Sequence, residues 1–527
     1  MTINFEKKII MAKRFNITGL CFPDQHYMAD VFKKLAKTID MIEFGDYFII
    51  NRPRQYGKTT TLYTLADTLE KRGDYFVINT SFEGVGDLFF SEEKRFTQGF
   101  MSLLASYVQY RDKELAIWLR EKQPDVIDMS LLSDAITAFT EIAQKKVVLL
   151  IDEVDKSSNN QLFISFLAML RNKYLSRSIV KTFHSVVLAG VHDVKSLKLK
   201  LRPDEEQKYN SPWNIAAEYK VDMNLQPHEI KPMLAEYAKD KAVKIDTQLI
   251  ADSLFYYTSG YPFLVSKLCK MLDEEIIEKD EWTTDDVEYA VKELVKESNT
   301  NFDTQVKNLE NNKELYEMVY KIAVENDKIP FNVHNPTTNF AALYGILVNK
   351  NGNAVIHNRI YREVIVNYMT DKMNHLQLSR GADFGIGYKN PDKTLNMEAV
   401  MLGFQTFMKK EYSKKDRKFL EKNGRLVFLA FLKPIINGNG YDFKEPQISE
   451  EKRLDVVITY LHQKFVAELK LWYGQKAHEE GLKQLADYLD RQNLNEGYLL
   501  IFDHSEVKNW HSEWLEFDEK KIFAVWV

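Results

Sequence analysis

The sequence predicts an α/β protein: a parallel sheet flanked by helices, then a helical region ending in a hairpin, then a second, smaller α/β domain. Three observations carry this. Between about residue 15 and residue 225, short apolar runs alternate with helix-patterned segments, the order that crossover helices impose on a parallel sheet. Residues 47–50 and 147–151 are unbroken apolar runs, as expected of strands covered on both faces. A polar, turn-rich stretch at 375–395, with Gly381, Gly385, Gly387 and Pro391, then separates this half from a new series of strand-like runs.

Taken in order, the first half offers strands at 47–50, 75–79, 147–151 and 185–190. Residues 227–241, 246–259 and 262–279 read as helices, and Pro262 sits at a first helical position after the turn Ser259-Gly260-Tyr261. Two further helical patterns follow between 312 and 370, and then two short apolar runs flank Asn351-Gly352, the strongest short hairpin signal. Helices followed by a hairpin suggest a winged-helix module, which either binds DNA or only packs. Beyond the linker come a helical stretch at 416–423, an apolar run at 426–432, and strands at 441–447, 454–460 and 464–470. A helix at 475–490 and strands at 498–502 and 522–527 complete the chain.

Length and composition set limits on this reading. At 527 residues the chain exceeds one core, so about three domains are expected. A net charge of −5 means that any nucleic acid must be held by a local basic patch, such as Lys409, Lys410, Lys414, Lys415, Arg417 and Lys418. Cys21 and Cys269 form neither a disulfide framework nor a metal spacing, which points to a reducing cytoplasm. No apolar run approaches the ~20 residues of a membrane span. Met11 is a second candidate start, because the residues before it read as a detachable extension.

The first chemistry lies directly after the run at 47–50. The segment NRPRQYGKTT, residues 51–60, is a strand-loop-helix junction with the ending of a phosphate-cradling P-loop. Gln55, Tyr56 and Gly57 would bring backbone close to the phosphates, Lys58 would supply a cation, and Thr59 a hydroxyl for Mg2+, with Thr60 next to it on the helix. Arg52 stands where the motif has its first glycine. The run at 147–151 ends in Asp152 and Glu153, at the strand edge where α/β sheets keep their chemistry. Asp152 would hold Mg2+ and Glu153 would activate the attacking water in ATP hydrolysis. His192, at a strand end, is a candidate sensor of the γ-phosphate, and Arg171, Arg177 and Arg202 are candidates for a transition-state arginine. An arginine supplied by a neighbour would require a homo-oligomer.

The second chemistry is near the carboxyl end. Asp455 begins one strand, and Glu468 and Lys470 stand two apart on the next, so the strand period puts the latter pair on one face. Two carboxylates and an ammonium there suit a divalent cation, Mg2+ or Mn2+, and the activation of a hydroxide against a phosphodiester.

These residues carry two resemblances. Asp455 with Glu468-Leu469-Lys470 resembles the PD-(D/E)XK nuclease signature, and Gln484 with Tyr488 resembles the QxxxY element of several of its branches. Leu454 replaces the signature's proline, and Glu421 matches its helical acidic residue only loosely. RPRQYGKTT, LLIDEVD and the turn TSGYPFLV together resemble the AAA-like ATPases of prokaryotic mobile elements, which commonly lack the first P-loop glycine and often end in such a nuclease domain. Gly260 and Pro262 resemble the lid turn that contacts nucleotide in related signal-transducing ATPases.

The resemblances imply a P-loop ATPase domain at 1–225, a helical lid at 226–305, a winged-helix-like module at 306–374, a linker at 375–395 and a restriction-endonuclease-like domain at 396–527. They imply ATP and Mg2+ as cofactors, with Mn2+ an alternative at the nuclease site, catalytic roles for Asp455, Glu468, Lys470 and Gln484, metal ligation by Asp455 and Glu468, and DNA or RNA as partner. The alternative is a nucleotide-dependent oligomerising switch whose terminal domain binds without cutting.

Overall fold

A computed structural model describes residues 13–157, 161–191, 213–274, 280–325, 327–377, 386–411, 417–436, 440–443, 456–471, 475–503 and 510–527. The chain divides into two compact units: Met1–Asn308 with Pro330–Tyr361, and Leu309–Ile329 with Arg362–Val527. Among the described residues no helix is long and apolar enough to cross a membrane.

The first unit is built on four parallel strands, β1 (Tyr47–Asn51), β2 (Tyr75–Ser81), β3 (Lys146–Asp152) and β4 (Ser185–Gly190), in the order β1-β4-β3-β2. They coincide with the four apolar runs because helices cover both faces: 147–151 and 186–189 are almost wholly buried. A parallel bridge from Phe48 to Ala217, with the Ala217 N–H donating to the Tyr47 carbonyl at 2.8 Å, extends the sheet beyond β1. Register places Asn51 beside Gly190, so the carboxyl ends of β1 and β4 share the edge at which β3 ends in Asp152.

The helices that follow are stopped and started by local chemistry. Gln226 and Glu229 form a capping box ahead of Pro227 in the helix Pro227–Lys241, and Asp246 caps Thr247–Thr258 by accepting from Gln248 and Leu249 N–H groups. The hairpin β5 (Leu347–Lys350) and β6 (Asn353–Ile356) turns through Asn351 and Gly352, both at positive φ (52° and 81°), the geometry of a two-residue I′ turn.

The second unit carries a six-stranded sheet: β7 (Gly440–Phe443), β8 (Val456–Tyr460), β9 (Gln463–Leu471), β10 (Glu496–Phe502), β11 (Ser512–Phe517) and β12 (Lys520–Trp526), in the order β7-β8-β9-β10-β12-β11. Pairs β9/β10 and β10/β12 are parallel and the rest antiparallel. The helix Gln475–Arg491 crosses from β9 to β10 and buries Leu482, Leu485 and Leu489 against Val457, Val466, Leu499 and Ile522.

Two sequence expectations change here. The helical stretch at 416–423 and the apolar run at 426–432 form one helix, Arg417–Ile436. Residues at the end of the expected linker are organised: Lys389 pairs with Leu395, which is buried and donates its N–H to Gln463 Oε1 at 2.6 Å.

Candidate phosphate-binding and carboxylate sites

The loop 52–57 leads from β1 into the helix Lys58–Arg72, whose N-cap is Gly57 at φ 78°. That left-handed conformation suits glycine and aims the first helical N–H groups into the loop. Arg52 needs no glycine's freedom because its side chain turns away: its guanidinium donates to the carbonyls of Asn51 and Val221, each at 2.7 Å, and lies over the Tyr219 ring.

Lys58 is buried, and its ammonium donates to the carbonyls of Arg52 (3.0 Å) and Pro53 (2.9 Å). Burial lowers its pKa, against the pull of Glu153, Asp152 and Asp155. Thr59 Oγ1 donates to Asp152 Oδ2 at 2.6 Å. Thr60 Oγ1 accepts the Cys21 N–H at 3.2 Å. Glu153 sits at φ 52°, an uncommon conformation for a non-glycine residue, and its N–H donates to Asp152 Oδ1 at 2.9 Å. Its pKa is raised, first by burial and then by the neighbouring Asp152. Asp155 Oδ2 accepts the Val191 N–H at 2.5 Å, fixing the chain at the end of β4.

The Thr59 hydroxyl and Asp152 carboxylate fit Mg2+. They are hard oxygens already adjacent, and the carboxylate is only 5 % exposed. An Mg2+ held there would supply positive charge to neutralise bound phosphate.

The turn at Pro262 lies beside this loop, but the contact is made by its neighbour: Tyr261 Oη donates to the Arg54 carbonyl at 2.6 Å. Gly260, at φ 74°, lies so close to Leu225 that a Cβ there would stand 2.2 Å from the Leu225 carbonyl oxygen. Gln55 Oε1 accepts from Asn301 Nδ2 at 3.0 Å, and Tyr56 Oη bonds both His357 Nε2 (2.9 Å) and Asn224. The sequence reading had no role for Asn224, Asn301 or His357, because they stand 168 to 301 residues from their loop partners and follow no local pattern.

Among the candidate arginines, Arg177 lies away from the phosphate loop of its own chain. It donates to the Gly45 carbonyl at 2.6 Å and stacks over Tyr174, at the amino ends of the strands, roughly 17 Å from the phosphate edge by strand length. Arg171 lies on the helix Gln161–Leu175, and its buried Nε has no hydrogen-bond partner among the described residues. His192 and Arg202 lie outside the described residues.

In the second unit, Glu468 and Lys470 share a face of β9 as their spacing requires. Glu468 is fully buried, with Oε1 2.9 Å from Lys470 Nζ, and Lys470 also donates to Gln484 Oε1 at 2.9 Å. Burial raises the Glu468 pKa, opposed by Lys470 and then Arg425. Asp455 lies outside the described residues. Val456, its neighbour in sequence, pairs with Ala467, next to Glu468.

A parallel sheet with a phosphate loop after its first strand and paired carboxylates after its third defines the first unit as a P-loop ATPase domain. Residues 29–367 match the AAA-like domain family, and the chain belongs to that family. No curated protein matches the chain. Among solved structures it is similar to a Walker-type ATPase of Pyrococcus abyssi, at 12 % identity and a TM-score of 0.47 over 67 % of this chain and 99 % of that one. It is also similar to a RuvB variant of Thermotoga maritima (15 %, TM-score 0.34, 65 % and 96 %) and to the ORC2 protein of Aeropyrum pernix (16 %, TM-score 0.35, 65 % and 93 %).

Proposed function

We propose that this chain hydrolyses ATP with Mg2+ and that its nucleotide state controls a metal-dependent nuclease domain, 396–527, acting on DNA or RNA. The observation that carries the ATPase half is the joined Thr59–Asp152 pair with Glu153 beside it, at the end of a loop that buries Lys58. In this reading Lys58 and the helix N–H groups bind the phosphates. Thr59 and Asp152 hold Mg2+, and Glu153 takes a proton from the attacking water. Burial and then Asp152 raise its pKa, which makes the ionised carboxylate a stronger base.

Support for the nuclease half is the Glu468–Lys470–Gln484 cluster: a buried carboxylate beside an ammonium that a neutral amide helps orient. Lys470 would position a hydroxide, Glu468 and Asp455 would hold Mg2+ or Mn2+, and Gln484 would fix the ammonium. The resemblance to mobile-element ATPases suggests mobile-element or defence biology in the cytoplasm.

A second reading rests on the complete burial of Glu468, which leaves its carboxylate without solvent. Here the terminal domain binds nucleic acid or protein without cutting, and ATP drives assembly into a homo-oligomer. One experiment separates the two: incubation of labelled DNA and RNA with Mg2+ or Mn2+, with and without ATP, using wild type, Asp455→Ala and Lys470→Ala. Cleavage by wild type alone supports the nuclease. Equal products from all three remove it, and ATP-dependent assembly without nicking favours the switch.

A further inference from the structure

Three consecutive residues of the phosphate loop are each held by a side chain from a different distant segment. Tyr261 Oη donates to the Arg54 carbonyl, Asn301 Nδ2 donates to Gln55 Oε1, and His357 Nε2 bonds Tyr56 Oη, across sequence separations of 207, 246 and 301 residues. All of these residues belong to the first unit. The ties meet a loop that is poor in glycine, with Gln55 itself at φ 58°, a conformation that costs a non-glycine residue energy unless its surroundings impose it.

The hydrogen-bond polarity at Tyr56 follows from the atoms around it. Asn358 Oδ1 accepts the Tyr361 N–H at 2.8 Å, which leaves Asn358 Nδ2, 3.3 Å from His357 Nδ1, as the donor to that nitrogen. His357 is therefore the neutral tautomer with hydrogen on Nε2. It donates to the Tyr56 oxygen, and Tyr56 passes its own hydrogen to Asn224 Oδ1. A single-file relay Asn358–His357–Tyr56–Asn224 thus runs from the end of β6 through the phosphate loop to the segment before the helix Pro227–Lys241. Burial lowers the His357 pKa to about 4, in keeping with a neutral ring. Tyr56 also packs edge-on against Tyr261, with ring centroids 4.7 Å apart, so two of the ties share one aromatic joint.

The seam is polar. Asn301 Oδ1 and Gln305 Oε1, on successive turns of the helix Thr300–Asn311, are buried and accept no hydrogen bond among the described residues. A seam of partly satisfied polar groups is weaker than an apolar core and reopens to water at lower cost.

We propose that His357 and Asn301 are positioning residues for the ATP site: acting through Tyr56 and Gln55, they hold the loop in its phosphate-accepting shape, so that ATP affinity depends on how the 301–308 and 345–358 segments are seated. The inference rests on the ATP-binding reading of the loop. ATP dissociation constants, kcat for hydrolysis and melting temperatures are measured on the full chain for wild type, Tyr56→Phe, His357→Leu, His357→Gln, the double variant Tyr56→Phe/His357→Leu, and Lys58→Ala.

Each single loss of the Tyr56–His357 bond weakens ATP binding about five- to thirty-fold, as expected when a buried partner is left unsatisfied. In the His357 variants kcat stays within about twofold, since that side chain reaches the loop only through Tyr56 and touches no reacting atom. The double variant is no worse than either single one, and His357→Gln, which keeps an N–H donor, recovers most of the affinity. A lowered melting temperature with unchanged affinity, or additive losses in the double variant, overturns the proposal. If His357→Leu does not fold, Tyr56→Phe, which removes one hydroxyl and keeps the ring packing, decides alone. Lys58→Ala tests the underlying reading separately: wild-type ATP affinity in that variant removes the nucleotide site itself.

Discussion

Thr59 and Asp152, 93 residues apart in sequence, are joined by a 2.6 Å hydrogen bond across the edge of the first sheet, with the hydroxyl donating to the carboxylate. The bond shows that the helix start and the end of β3 are set close enough for both oxygens to serve one cation. Thr59→Ala is therefore expected to leave ATP binding in EDTA unchanged and to lower the Mg2+-dependent gain in affinity about tenfold or more. ATP titrations with and without Mg2+ measure this. An equal Mg2+ response in the variant would remove Thr59 from the ion's shell.

Glu153 provides a second expectation. Its carboxyl is pushed up by burial and by Asp152, and it must be ionised to accept a proton. Hydrolysis should therefore fall, as pH is lowered, at a pH above the ordinary glutamate range. Glu153→Gln should retain ATP binding while phosphate release slows by about 10²- to 10⁴-fold. Unchanged release in that variant assigns the base elsewhere.

The first sheet was legible because its strands are buried on both faces, so hydrophobicity alone marks them. The β5–β6 hairpin was legible because an I′ turn is a local two-residue property. The helix Arg417–Ile436 was not, since 427–432 is buried all round and a helix of that kind loses its period. Gly424 inside it looks like a break, but it is where the helix meets Phe502, at a distance where a Cβ would come within 2.8 Å of the ring. β11 was missed for the opposite reason: its residues are largely exposed and form no apolar run. The paired oxygens of the phosphate site could be read from motif spacing. The ties from Tyr261, Asn301 and His357 could not, because they exist only once distant segments have folded together.

Lys58 is held at a cost to the fold. Its pKa is lowered, so the folded state disfavours the ammonium; that penalty is fully present below the folded pKa and disappears as pH rises past the unfolded value. Lys58→Met should accordingly stabilise the nucleotide-free protein at neutral pH by about 0.5–2 kcal/mol while abolishing ATP binding. The gain should shrink as pH approaches the ordinary lysine range. A lower melting temperature for the variant at neutral pH contradicts this account.

Gly260 has no room for a side chain. Its φ of 74° and the 2.2 Å approach of a Cβ to the Leu225 carbonyl oxygen combine strain with a backbone clash. Since the Leu225 N–H also donates to the Gly260 carbonyl at 2.7 Å, the two segments cannot separate cheaply. Gly260→Ala should cost about 2–4 kcal/mol, read as a lower urea midpoint. A change below about 0.5 kcal/mol would show that the turn is free to move.

Glu468 ties the stability of the second unit to pH. Its pKa is raised chiefly by burial, so the folded state binds a proton that the unfolded chain releases earlier. The sign follows: stability is greatest below the unfolded glutamate value and is lost as pH rises from there through the folded pKa. Glu468→Gln keeps the shape without the charge. Its melting temperature should exceed that of wild type by a margin that grows with pH across this window and then levels off, while Lys470 keeps Gln484 as a partner. A divalent cation reverses the ranking if the carboxylate is a ligand, because the ion stabilises the charged form that burial penalises. Millimolar Mn2+ should then raise the melting temperature of wild type and leave Glu468→Gln unmoved, as followed by tryptophan fluorescence. An identical Mn2+ shift in both proteins would separate Glu468 from metal binding and leave its pairing with Lys470 as a structural ion pair.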